Sequence, residues 1–273
     1  MHEMKYVSAR GEEVELDGDL VWSGTADGLR GRKWTYSVGR LGLKSVTLDA
    51  RKTSIECHFS DEAEADRFRL MADRDVRERT PGTVWIDEWS RPCYVLESSP
   101  SDVSCRHHAE KLTIVLLGGI WRKERRHSFP VRESQGSDGG FDYPHDWRFD
   151  YMRGPEPRFI DGMMRGESDF RLVIYGPVKN PVVTIKGNVY SLKYDVPAGG
   201  YVVVDSSDFT IVAVTRQGGV SNAFKAGVRG SGKGGGSYIF QPIPEGVCDV
   251  VSDGSFGFDL IVYEGDTEPP WML

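Results

Sequence analysis

The stretch "GVRGSGKGGGSYIF", Gly227 to Phe240, holds Gly227, Gly232 and Lys233 at the spacing that opens a phosphate-cradling loop. In such a loop, backbone N–H groups and a lysine grip the phosphates. Position 234 is Gly, where that pattern needs a Ser or Thr hydroxyl for Mg²⁺. A phosphate loop must also open a helix, so that the positive end of the helix dipole faces the anion. Here more glycines are followed by Ser-Tyr-Ile-Phe and the prolines of "QPIPEG", which read as a surface loop running into a short strand. Lys233 is then expected to be solvated, and no nucleotide cofactor is assigned.

The histidines and thiols carry no better case for catalysis. "CRHHAEK" brings His107, His108 and Glu110 close in sequence, but neighbours in a strand point to opposite faces, so the two histidines cannot share one metal site. His145, flanked by Asp142 and Asp146 in "DYPHDW", has no partner elsewhere. Cys57, Cys93, Cys105 and Cys248 are scattered without a C-x-x-C pair and read as reduced core residues. The chain contains neither a Gly-x-Ser-x-Gly elbow nor a His-Glu-x-x-His motif. No catalytic, cofactor-binding or metal residue is assigned, and the expectation is a protein that is not an enzyme.

Charge narrows the partners. The net charge of -7 argues against a protein that holds nucleic acid by neutralising phosphates. The one basic run, "WRKERRH" from Trp121 to His127, is read as a solvated exit from a domain. No apolar run approaches the roughly 20 residues that span a bilayer, and "MHEMKYVSARGEEVELDG" lacks a signal-peptide layout. A chain that begins life in the cytoplasm, with no membrane partner, is expected.

At 273 residues, with 39% hydrophobic residues, the chain has material for two domains. In the first half, "KSVTLDA", "TSIECHF", "GTVWIDE", "PCYVLES" and "KLTIVLLGG" read as strands. One helix interrupts them, from Asp61 to about Arg77. Asp61 and Glu64 are spaced as a capping box, and Ala65, Phe68, Met71, Ala72 and Val76 form the face that should pack on the sheet. Between Arg122 and Gly166 the pattern dissolves into Gly, Pro, Asp and aromatic residues, which marks a boundary.

The second half is nearly all strand. "DFRLVIYG", "PVVTIKG", "NVYSLKY", "GYVVVDS", "FTIVAVT", "SYIFQPI", "GVCDVVS" and "FGFDLIVYE" follow one another with short turns, as in a sandwich or barrel. In the last of them Phe256, Phe258, Leu260 and Val262 alternate with Gly257, Asp259, Ile261 and Tyr263, the period of a strand with one face on a core. The expected division is 1–125, an N-terminal domain; 126–166, a linker or arm; and 167–273, a C-terminal sandwich.

The order of these motifs resembles the distal tail proteins of long-tailed bacteriophages, the siphovirus family often called Dit. "GPVKNPVVTIKGNVYSL" is similar to the family's opening hairpin, with Asn180-Pro181 before two strands joined by a tight turn. "GGYVVVDSSDFTIV" and "GGVSNAF" resemble its Gly-strand-Asp stretch and its Gly-x-x-x-Asn turn, and "FDLIVYEGDTEPPWML" resembles its ending through Glu268-Pro269-Pro270-Trp271. "KLTIVLLGGIW" looks like the close of the family's first domain, and "GGFDYPHDWRFDY" like the connection found in such proteins from phages of actinobacteria. Gly265 and Asp266 depart from the basic residues common there, and the Gly-Lys loop, 227–236, is longer.

The resemblance implies a mainly β fold: a barrel-like N-terminal domain with one helix, and a galectin-like C-terminal β-sandwich. It implies a structural role in the virion at the tail tip. The N-terminal domains would form a hexameric ring that joins the tail tube protein to the tail hub or fibre proteins, with the tape-measure protein as a further neighbour. A lumen poor in positive charge would let DNA pass without retaining it. The alternative is a carbohydrate-binding module that contacts the host cell wall, since sandwiches of this kind can stack sugars on aromatic rings; Trp147, Tyr151, Tyr194 and Tyr238 are its candidates.

Overall fold

The structure is a computed structural model that describes residues 3–25, 27–60, 62–104, 107–132, 158–160 and 166–269. Asp61 and Cys105, the segment around His145, the rings of Trp147 and Tyr151, and Pro270-Trp271 therefore lie outside the described residues. The chain divides into two compact units, one running over Met1–Lys123 and resuming at Gly265, the other spanning Glu124–Glu264.

The first unit holds β1 (Met4–Val7), β2 (Glu13–Glu15), β3 (Val21–Thr25), α1 (Asp27–Arg30), β4 (Thr35–Gly39), β5 (Gly42–Thr47), β6 (Arg51–Phe59), α2 (Glu62–Glu78), β7 (Gly82–Ile86), β8 (Trp89–Ser104), β9 (His107–Leu116) and the start of β10 (Trp121–Phe129). An antiparallel path runs β2-β1-β7-β8-β9-β6-β3. An isolated antiparallel bridge between Asp17, just past β2, and Trp22 of β3 brings the two ends of this path together, in the manner of a barrel. Alternate side chains point inward: Met4 and Tyr6, Ile55, Cys57 and Phe59, Val84 and Ile86.

Acidic residues occupy the first turn of α2 and Arg77 its last, in the sense that the helix dipole favours. Ala65, Phe68, Met71 and Ala72 are buried against the sheet as their spacing predicts. Val76 is not part of that face: it is 36% exposed, and Asp75 is buried in its place. A fully buried carboxylate on an apolar stripe requires donors. They come from far along the chain, with Tyr6 Oη donating at 2.6 Å and Ala9 N at 3.2 Å to Asp75 Oδ2. Residue 82 has to be glycine here, because a Cβ would sit 2.3 Å from Tyr6 Oη and 2.8 Å from Asp75 Oδ2.

The second unit contains the rest of β10, β11 (Arg158–Ile160), β12 (Phe170–Tyr175), β13 (Val178–Lys179), β14 (Val182–Ile185), β15 (Asn188–Ser191), β16 (Asp195–Val196), β17 (Tyr201–Asp205), β18 (Thr210–Val214), β19 (Val220–Asn222), β20 (Cys248–Val251) and β21 (Phe258–Asp266). One sheet runs β19-β18-β17-β12-β21 and the other β11-β20-β14-β15, with β13 and β16 as a separate ribbon. Phe170, Leu172 and Ile174 of the first sheet and Val183, Ile185 and Tyr190 of the second meet in one apolar core, so the unit is a β-sandwich. The Lys186-Gly187 turn between β14 and β15 has both residues at positive φ, the backbone that a two-residue hairpin requires.

Two expectations need correction. "SYIFQPI" is not a strand; Ser237–Gln241 form coil and turns, with an isolated bridge from Ile243 to Ser168, and Ile239 and Phe240 are buried as core pieces. An apolar run between glycines looks like a strand until the core it fills is known. The basic run Trp121–His127 lies inside β10 and is no loose exit. Its charges meet acids of the same unit: Arg125 Nε lies 2.7 Å from Glu264, and Arg126 pairs with Asp259.

Candidate functional site

The residues that the sequence offers for chemistry are brought into structural pairs. Lys233 is not merely solvated; its Nζ lies 2.9 Å from Glu167 Oε2, with both side chains exposed. The residues from Arg229 to Phe240 form turns, bends and coil, so no helix end faces Lys233. Lys233→Ala is expected to leave ATP titration curves flat, as in the unaltered protein, with the melting temperature unchanged. Saturable ATP binding lost in the variant would restore the phosphate-loop reading.

His108 and Glu110 lie on one face of β9, with His108 Nε2 2.7 Å from Glu110 Oε1 and Arg69 Nε 3.2 Å from the same oxygen. Glu110 is buried, so this is a carboxylate held between an arginine and a histidine inside the first unit. Among the described residues no group of three or more His, Cys, Asp or Glu side chains is placed to hold a metal ion. Cys57, Cys93 and Cys248 are free and buried. Burial pushes the Cys57 and Cys93 thiols up to about 12, with the nearby Glu110 adding to the effect at Cys57. Thiols held protonated in this way are poor nucleophiles.

On the face of β21 that alternates with the core-facing residues, Asp259 and Tyr263 are both buried. Asp205 accepts from Arg171 Nε at 3.0 Å, Ser207 Oγ at 2.7 Å and Tyr263 Oη at 3.1 Å. Asp259 accepts from Tyr175 Oη at 2.6 Å and from Arg126. Burial by itself raises both carboxyls, but the hydrogen bonds outweigh it and hold both below the ordinary aspartate value. Depressed carboxyls stabilise the fold above their unfolded value of about 3.9, and that contribution is lost as pH falls through the lower folded values. Thermal melts should therefore fall as pH drops from about 5 to 3, more steeply than in Asp205→Asn. Equal slopes would remove Asp205 from the explanation.

The aromatic candidates for a sugar platform divide. Tyr194 and Tyr238 pack, partly buried, against the sandwich core, and Tyr238 meets Phe240 edge-on at 5.9 Å. Asn180 sits at φ 46°, a conformation asparagine tolerates, and Asn222 Oδ1 accepts from Phe224 N at 2.9 Å, so both family-like asparagines shape turns.

The surface that sequence reasoning missed is the hairpin β4–β5. Its second strand was expected within "KSVTLDA"; its first, Thr35–Gly39, was not. Tyr36 is 63% exposed, Val38 71%, Leu41 99% and Leu43 65%. A solvated strip of large apolar residues on one ribbon is a mark of an interaction surface.

Comparison with solved structures then fixes the fold. A chain of the phage P2 baseplate in its activated conformation with calcium superposes with TM-score 0.64 at 10% identity, covering 98% of this chain and 100% of that one. The strontium form of the same baseplate gives the same values. The Dit protein of phage SPP1, described as a paradigm of hub adsorption apparatus in phages that infect Gram-positive bacteria, gives 0.56 at 10% identity over 97% and 99% of the two chains. The chain has the fold of a phage distal tail protein. No protein-family model matches the sequence, and no curated protein matches it.

Proposed function

We propose that the protein is a structural component of a bacteriophage tail tip, a distal tail protein without catalytic activity. The observation that carries this reading is likeness over essentially the whole of both chains to a protein of a phage baseplate. In this reading the N-terminal domain forms a hexameric ring, and the sandwich projects outward. The ring joins the tail tube protein to the hub or fibre proteins, and the tape-measure protein ends beside it. The site of action is the virion, after assembly in the host cytoplasm. The exposed hairpin of the first unit supports a role in assembly, because such a strip is soluble only at a cost unless another surface covers it.

The test is microscopy of both particle and protein. Antibody raised against the chain should decorate the tail tip of virions of the phage that encodes it. The purified protein should show six-fold rings in negative stain. Virions left unlabelled along the whole tail would overturn the reading.

A further inference from the structure

The inner face of the first unit carries charge at one end. Arg51 opens β6 on the face it shares with Ile55 and Cys57, and the register sets Arg51 opposite Leu116 of β9 and Leu116 opposite Cys93 of β8. Two residues before Cys93, on the same face, comes Arg91, which is 2% exposed and lies opposite the buried Val84 of β7. On the other side of β8, β10 begins with the buried Trp121; Arg122 pairs with Ser90, which brings Trp121 next to Arg91. Two guanidiniums and an indole therefore stand in a wall of apolar core residues.

Their donors are short of acceptors. Arg91 Nε donates to the Leu117 carbonyl at 2.9 Å, and Arg51 Nη2 donates to the Gly28 and Leu29 carbonyls at 2.7 and 3.1 Å. Arg51 Nε and Trp121 Nε1 are buried without a hydrogen-bond partner. Neither arginine forms an ion pair among the described residues; Glu268, the acid whose charge favours that of Arg51, is paired with Arg32 at 3.4 Å. Arg91 meets the opposite influence, since burial and then the charge of Arg51 push its pKa down to about 10. A buried cation without a counter-ion costs free energy, as does each buried donor left unpaired.

We infer that this end of the first unit binds one small oxyanion of the phosphate class, held by Arg91, Arg51 and the Trp121 indole. The groups left without a partner are all donors, so the ligand must accept; a neutral acceptor would leave both charges unbalanced. The planar fork of a guanidinium matches two oxygens of such an ion, whose other oxygens can accept from Arg51 Nε and the indole N–H. Burial restricts the ligand to a free ion, because a phosphodiester chain could not follow its phosphate in among the strands.

The probe is inorganic phosphate, titrated into the full chain at constant ionic strength against chloride. Calorimetry should show one saturable site, and the melting temperature should rise with phosphate because only the folded chain binds it. Arg91→Met should weaken binding about 100-fold by removing the charged fork. Trp121→Phe keeps an aromatic ring in the core and loses one donor, so binding should weaken about 10-fold; this variant decides the matter if Arg91→Met fails to fold. Lys233→Ala, an exposed lysine of the other unit, should bind as the unaltered protein does. No saturable heat from the unaltered protein overturns the site. So does an equal rise in melting temperature in the unaltered protein and Trp121→Phe, which is the general stabilisation that excluded salts give. The antibody test of the tail-tip reading is independent of either result.

Discussion

Asp75→Ala is expected to destabilise the first unit by about 2–3 kcal/mol, because it takes the acceptor from the buried Tyr6 hydroxyl and from the Ala9 amide at once. Tyr6 Oη and Ala9 N both donate to that carboxylate, and Asp75 and Tyr6 are buried. Burial, reinforced by the Asp75 hydrogen bond, already raises the Tyr6 phenol well above its ordinary value, so the hydroxyl remains a proton donor at every working pH. Scanning calorimetry should show the transition moving down on the order of 10 °C. Asp75→Asn, which keeps an acceptor oxygen, should lose less, and Tyr6→Phe should cost about 1–2 kcal/mol by removing one bond of the set. A melting temperature for Asp75→Ala equal to that of the unaltered protein would mean that the buried carboxylate contributes nothing net.

Phe170→Ala is expected to cost the sandwich about 3–5 kcal/mol, through lost burial and the cavity left between its sheets. The ring is fully buried on β12, edge-on to Tyr190 with centroids 5.2 Å apart, so side chains of both sheets line the space it fills. Tyr190 is itself anchored, its hydroxyl donating to the Gln241 carbonyl at 2.7 Å, and is poorly placed to collapse into the gap. Urea titration followed by far-ultraviolet circular dichroism gives the measurement. A midpoint unchanged at constant slope would show that the core closes over the missing ring.

Much of this fold is written in local patterns. The face of α2 follows from Ala65, Phe68, Met71 and Ala72 at helical spacing, and the strands of the sandwich follow from alternation and tight turns such as Lys186-Gly187. The misses share a cause. Whether Asp75 or Val76 is buried is decided by Tyr6, 69 residues away from Asp75, and spacing within a helix carries no word of that. "SYIFQPI" has strand composition, yet its Tyr238 amide lies 3.3 Å from Asn188 Oδ1 and its neighbours fill a core without a ladder. "WRKERRH" looks solvated because its acids, Glu264 and Asp259, arrive far downstream. For the hairpin a signal was present and unread: no acid between Gly28 and Leu48, and Tyr36 and Val38 in alternation before the Leu41-Gly42-Leu43 tip. The likeness to the fold of distal tail proteins was legible in motif order, as in the Asn180-Pro181 pair before the β14–β15 hairpin.

The backbone leaves the first unit after Lys123 and comes back at Gly265. A ribosome therefore delivers that unit in two instalments, with an entire sandwich synthesised between them. Genetically the sandwich is an insert with two joints, Lys123-Glu124 and Glu264-Gly265, and exchanging it for another body means cutting at both. A frameshift within the sandwich would injure the body that was begun first, since Arg32 finds its carboxylate partner, Glu268, only after the chain has come back.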